Sequence, residues 1–204
     1  NFDFYMGEEF ARNKLVLFEK PDTGYAYVSV TWPGMTGVLS GMNVEGLTVT
    51  INASKLETPS MSATPISILT KEILQYASDI DEAVRIAASR QTFVSESILI
   101  GSAKDGRAAI IEKTPSEMAV YDPALQDADI HRIVCTNHYQ STTFRDNPVN
   151  QDNIRMSDSM WRFRRVEQLL DSAGTLTPEK AVQILRDKKG LDGEEIGYCN
   201  ELAI

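Results

Sequence analysis

The stretch Gly41-Met42-Asn43-Val44-Glu45-Gly46-Leu47-Thr48-Val49-Thr50-Ile51-Asn52 restricts the fold more than any other part of the chain. Val49 and Ile51 alternate with Thr48 and Thr50, the period-two pattern of a strand with one buried face. Residues 43–46 supply the small and polar side chains of a tight turn leading into it. The apolar run then gives way to Asn52, Ala53 and Ser54. An amide at that point donates two hydrogen bonds without carrying charge, which is what holding an oxyanion requires. On spacing alone, Asn52 reads as a strand-end cap; its weight depends on the rest of the chain.

The rest extends this strand in both directions. Residues 14–18 and 25–31 read as strands joined across Pro21-Asp22-Thr23-Gly24, a turn by composition. Trp32-Pro33-Gly34 breaks the second, and residues 38–40 lead into the opening motif, so an antiparallel sheet runs up to Asn52. Pro65 suits a first helical turn, with Ile66, Leu69, Ile73, Leu74 and Ala77 as the apolar stripe. Asp79 is placed to cap a second helix with Glu82 as its capping-box partner, and Ala83, Ile86 and Ala87 form the apolar face. Strands return at 97–103 and 108–112 around the hairpin signal Lys104-Asp105-Gly106, then at 118–121 and 133–136. Residues 141–155 read as a long polar surface loop. A helix is predicted from Ser157 or Asp158 to Leu170, with Met160, Phe163, Val166, Leu169 and Leu170 inside, and another from Thr177-Pro178 to about Lys188. Strands, a helix pair, strands and a second helix pair fit a four-layer αββα sandwich; a two-layer α+β domain shares the pattern.

The 204 residues suit one domain spanning 1–204, and the formal net charge of −9 argues against nucleic acid as a partner. There is no apolar run of membrane-spanning length. Cys135 and Cys199 lie far apart without a CxxC pair, so neither a zinc site nor the redox compartment follows. The sequence opens on Asn1 and stops at Ile204 inside an apolar stretch, as a piece of a longer protein would.

No GxSxG, HExxH or phosphate-binding Gly-rich loop is present. His131 and His138 are the two histidines, and a strand-end, partly exposed role suits His138. Alternation puts Cys135 with the core, as a small hydrophobe. Asn137 closes its predicted strand as Asn52 closes its own, and Arg162 and Arg165 share a helix face at i,i+3, which on its own suits a solvated stripe or a structural ion pair. Asp3 alone reads as a terminal-loop carboxylate, and Phe144 and Trp161 as core aromatics more readily than as pocket walls.

The order of four short motifs adds to this. Asn1-x-Asp3, the Gly41 to Asn52 stretch, Thr136-Asn137-His138-Tyr139 and Ser159-x-x-Arg162-x-x-Arg165 follow one another as they do in one family. The chain resembles, from Asn1 to about Leu170, the acyl-coenzyme A:6-aminopenicillanic acid acyltransferase-like (peptidase C45) family of cysteine N-terminal-nucleophile hydrolases. Bile salt hydrolase, penicillin V acylase and acid ceramidase belong to the wider set. The resemblance implies an α+β, four-layer αββα fold of the N-terminal-nucleophile type, incomplete here at both ends. It implies cleavage of a linear amide in a small N-acylated substrate through a thioester at an N-terminal Cys, whose own amine is the base. It assigns Asp3 to holding that Cys, Asn52 to the oxyanion hole, Asn137 to orienting amine and substrate, and Arg162 to the supporting charge network, with Arg165 a weaker match. No metal or cofactor is implied, and homo-oligomerisation and compartment stay open. The nucleophile and the Arg expected before Asn1 lie outside this sequence. The alternative is a non-catalytic ligand- or partner-binding domain on the same fold.

Overall fold

The computed structural model describes residues 12–60 and 63–194. Seven strands form one antiparallel sheet in sequence order: β1 (Leu15–Glu19), β2 (Tyr27–Thr31), β3 (Ser40–Asn43), β4 (Leu47–Ala53), β5 (Glu96–Ser102), β6 (Arg107–Lys113) and β7 (Met118–Tyr121). The hairpin signals fall where expected. Gly46 takes φ 79° in the β3–β4 turn and Gly106 φ 65° in the β5–β6 turn, a backbone region that glycine enters freely.

Between β4 and β5 the chain crosses one face of the sheet as α1 (Ile66–Tyr76) and α2 (Ile80–Ala88). The stripe Ile66, Leu69, Ile73 and Leu74 packs on Leu47, Val49, Ile98 and Ile100, which alternation turns to the same side. A Cβ on Gly41 would lie 2.6 Å from Leu74 Cδ1 and 2.7 Å from Val28 O, so the close packing of α1 on β3 requires glycine there. Asn43 joins the two layers. Its Nδ2 donates to Leu74 O (2.9 Å) and Ala77 O (2.7 Å) at the end of α1, and its Oδ1 accepts from Leu47 N (3.0 Å). Asp79 caps α2 through Glu82 N (2.9 Å); Glu82 reaches back to Ser78 N (2.8 Å), one residue before the cap.

On the opposite face the chain returns through residues 133–144. Tyr139 Oη donates to Lys113 O (2.5 Å), and the buried Glu112 carboxylate accepts from Gln140 N (2.5 Å) and Ser141 N (3.2 Å). Phe144 is buried against Tyr139, with ring centroids 5.1 Å apart, so it serves the core. Three expectations change here. Residues 133–136 form no strand: their alternation is strand-like, but among the described residues they pair with no neighbour. The predicted loop 141–155 contains a helix, α3 (Pro148–Met156), started by Asn147 Oδ1 on Val149 N (2.9 Å), with Asn150 fully buried. Finally, α4 (Ser159–Ala173) buries Ser159, Arg162 and Arg165 most deeply, while Met160, Phe163, Val166, Leu169 and Leu170 are half-buried. The arginine face is thus the interior one. The last helix is α5 (Pro178–Leu185), and among the described residues no helix is long and apolar enough to cross a membrane.

Candidate active site

The end of β4, the start of β5 and residue 137 meet at a cavity of about 360 Å³. Its polar lining is Asn52, Glu96, Ser67 and Asn137; Trp32, Met35, Leu39, Ile51 and Ile66 supply apolar wall. Asn52 is 9% exposed, and among the described residues its side-chain amide takes no hydrogen bond, which leaves both N–H donors free for a ligand.

Asn137 is fixed on every side. Its Nδ2 donates to Ala53 O (2.8 Å), the residue after Asn52, and its Oδ1 accepts from Arg162 Nη2 (2.5 Å). Its backbone N–H donates to Ser159 Oγ (2.8 Å), and its carbonyl accepts from Asn153 Nδ2 (2.7 Å). One Nδ2 hydrogen stays unused. Arg162, 8% exposed, also donates to Asp158 Oδ1 (3.0 Å), and its buried Nε has no partner among the described residues. The i,i+4 spacing of Asp158 and Arg162 on α4 explains the pair. So Arg162 and Asn137 are bonded to each other, Asn137 is tied to the strand end beside Asn52, and Asp3 lies outside the described residues. Arg165 stands apart. It makes a two-pronged bond to Asp187 (2.8 and 3.1 Å) and ties α4 to the segment after α5.

His138 differs from its expected partial exposure: it is 3% exposed. Its Nδ1 sits 2.8 Å from Ser159 Oγ and 3.1 Å from Thr136 Oγ1, and its ring meets Phe163 edge-on. Burial and the nearby Arg162 charge push its pKa down to about 4, so the ring is neutral at ordinary pH. The Ser159–His138 contact has the form of a nucleophile and base, but Ser159 has no exposed surface, which closes it to substrate. The Cys135 thiol is pushed up to about 12 by burial and by Glu112, so it stays protonated and is a poor nucleophile.

Sequence reasoning did not single out Glu96 or Asn153, nor pair Asp158 with Arg162. Glu96 left one trace, a lone charge opening the apolar run of β5. One of its carboxyl oxygens is buried with no partner among the described residues, and burial raises its pKa to about 7.

The fold is that of the N-terminal-nucleophile hydrolases. A Caenorhabditis elegans N-acylethanolamine-hydrolyzing acid amidase ortholog superposes with a TM-score of 0.65 at 20% identity, covering 92% of this chain and 79% of its own. Penicillin V acylase from Agrobacterium tumefaciens gives 0.51 at 16% identity over 84% of this chain and 58% of its own. An uncharacterized protein of Archaeoglobus fulgidus is 25% identical, and the match spans 87% of this chain and 32% of that relative's length. The family model for acyl-coenzyme A:6-aminopenicillanic acid acyl-transferase matches residues 1–194, and the chain belongs to that family.

Proposed function

We propose that this chain forms most of an amidase or acyltransferase that cleaves a linear, non-peptide amide of an N-acylated small molecule. The nucleophile is the thiol of an N-terminal Cys preceding Asn1. Its sulfur attacks the amide carbonyl while its α-amine takes the thiol proton. The C–N bond then breaks, the amine leaves with that proton, and water or a second amine resolves the thioester. Asn52 donates to the oxyanion in both tetrahedral stages. Asn137 uses its remaining N–H to orient the nucleophile's amine or the substrate, and Arg162 locks Asn137 in place. Asp3 holds the Cys.

The observation carrying this reading is the free amide of Asn52 in a largely apolar cavity, next to an asparagine whose other bonds are all made. Family membership supports the reaction class. So do the names of the two structural relatives, an N-acylethanolamine-hydrolyzing amidase and a penicillin V acylase. Losing one preorganised oxyanion donor costs about 2.7–4 kcal/mol in the transition state, or about 10²- to 10³-fold in kcat. Asn52→Ala in the full-length protein should show that loss while its urea unfolding midpoint barely moves, because the amide bonds nothing in the fold. Equal losses of turnover and stability would make Asn52 structural.

A further inference from the structure

We propose that Ser159 and His138 are positioning residues for Asn137, a buried relay that fixes the backbone of Asn137 while Arg162 fixes its side chain. The inference rests on the amide-cleaving reading above and deepens it, since that reading asks Asn137 to orient the reacting groups.

Two motifs of the sequence interlock here. Thr136-Asn137-His138 lies against the first turns of α4, where Ser159, Arg162 and Phe163 recur at i, i+3 and i+4 on one helix face. That face grips Asn137 at two points: Oδ1 accepts from Arg162 Nη2 (2.5 Å), and the backbone N–H donates to Ser159 Oγ (2.8 Å). A serine hydroxyl has one proton to give and two lone pairs to fill. With one lone pair on the N–H of Asn137, the proton needs an acceptor. His138 Nδ1 lies 2.8 Å away and Thr136 Oγ1 3.1 Å away. A bare imidazole nitrogen accepts and cannot donate, so it holds the hydroxyl in one orientation, whereas the hydroxyl of Thr136 can do either. Burial and the Arg162 charge, which keep the ring uncharged, agree with a nitrogen that accepts. Phe163 closes edge-on over the ring, with centroids 5.4 Å apart. Ser159 and His138 are 0% and 3% exposed, so bulk water does not compete for these bonds. At that depth neither residue touches substrate; both act through Asn137.

The test is a double-mutant cycle on the full-length protein, with N-octanoyl-4-nitroaniline as the probe. Ser159→Ala should lower kcat by about 3- to 10-fold, the worth of one net hydrogen bond, and His138→Leu by a similar factor. His138→Asn, which offers Ser159 an uncharged amide oxygen, should recover most of that loss. In an Asn137→Ala background, Ser159→Ala should cost nothing further, because the group it positions is gone. A full additive loss in that background, or a His138→Asn variant as slow as His138→Leu, overturns the proposal. If the wild type does not cleave the probe, that counts against the amide-cleaving reading, and hydrogen exchange decides this one. Exchange of the Asn137 backbone amide should speed up about 10-fold or more in Ser159→Ala and His138→Leu and hold in His138→Asn, with the amides of β4 and β5 as the control for global unfolding. Unchanged exchange at Asn137 ends the proposal.

Discussion

Two buried groups in or beside the cavity are held in the state that burial favours, and they respond to pH in opposite directions. Glu96 has its folded pKa raised from 4.5 to about 7. The folded protein therefore binds more protons than the unfolded chain across that window. Its stabilising contribution is present below pH 4.5 and lost as pH rises through 7. His138 is the reverse, lowered from 6.5 to about 4, so its contribution is present above pH 6.5 and lost as pH falls toward 4. Glu96→Gln should accordingly gain stability relative to wild type between pH 4.5 and 7, by roughly 3 kcal/mol at most. Urea unfolding of both proteins at several pH values reads this difference directly, since all other titrations cancel. A pH-independent difference would mean that Glu96 is solvated and paired. The same environments explain what the sequence could tell about the site. Asn52, Asn137 and Arg162 could be singled out in the sequence through the order of their motifs, and the bonds of Asn137 to Ala53 O and to Arg162 place them near one another. Glu96 could not be singled out, since its importance comes from a missing partner, which only three dimensions reveal.

The elements whose side chains repeat with a strand or helix period were legible, and those defined by what they pack against were not. The stripe of α1 and the hairpin glycines at 46 and 106 carry their structure locally. Residues 133–136 have strand alternation without a partner strand among the described residues, so the pattern and the structure diverge. Helix α3 had its start signal in Asn147-Pro148, but its polar sequence offered no stripe, and only Asn150 is buried. On α4 the arginine pair faces inward because Asn137, Asp158 and Asp187 give it partners, which spacing alone could not supply. Caps can be tested where they were read correctly. Asp79 accepts from Glu82 N and pairs with Lys104 Nζ (2.7 Å), whose side chain is 57% exposed. The cap bond should then dominate. Asp79→Ala is expected to cost about 1 kcal/mol, with Asp79→Ser recovering most of it, in thermal or urea unfolding. If Asp79→Ser were as damaging as Asp79→Ala, the Lys104 pair would be the larger contribution.

For the molecule as a whole, the sheet and its two helices form a scaffold with the cavity at one end of β4 and β5. The buried core of Leu47, Val49, Leu69, Ile73, Ile98 and Ile100 fixes the positions of Asn52 and Glu96. Residues 137–162 then bring Asn137 and Arg162 onto the same end, so the site joins parts of the chain more than a hundred residues apart in sequence. In the proposed reaction these groups bind, orient or stabilise charge, and the free thiol among the described residues is that of Cys135, which burial keeps protonated. The proposed reaction takes its nucleophile from outside the described residues. The most direct measurement is intact mass with N-terminal sequencing of the mature full-length protein, before and after brief exposure to a slow N-acyl amide. The account predicts a chain beginning with Cys that gains one acyl group on that residue, with the gain slowed in Asn52→Ala. A mature protein with no Cys ahead of Asn1, or an acyl group found elsewhere, would contradict it and leave a binding domain built on the same fold.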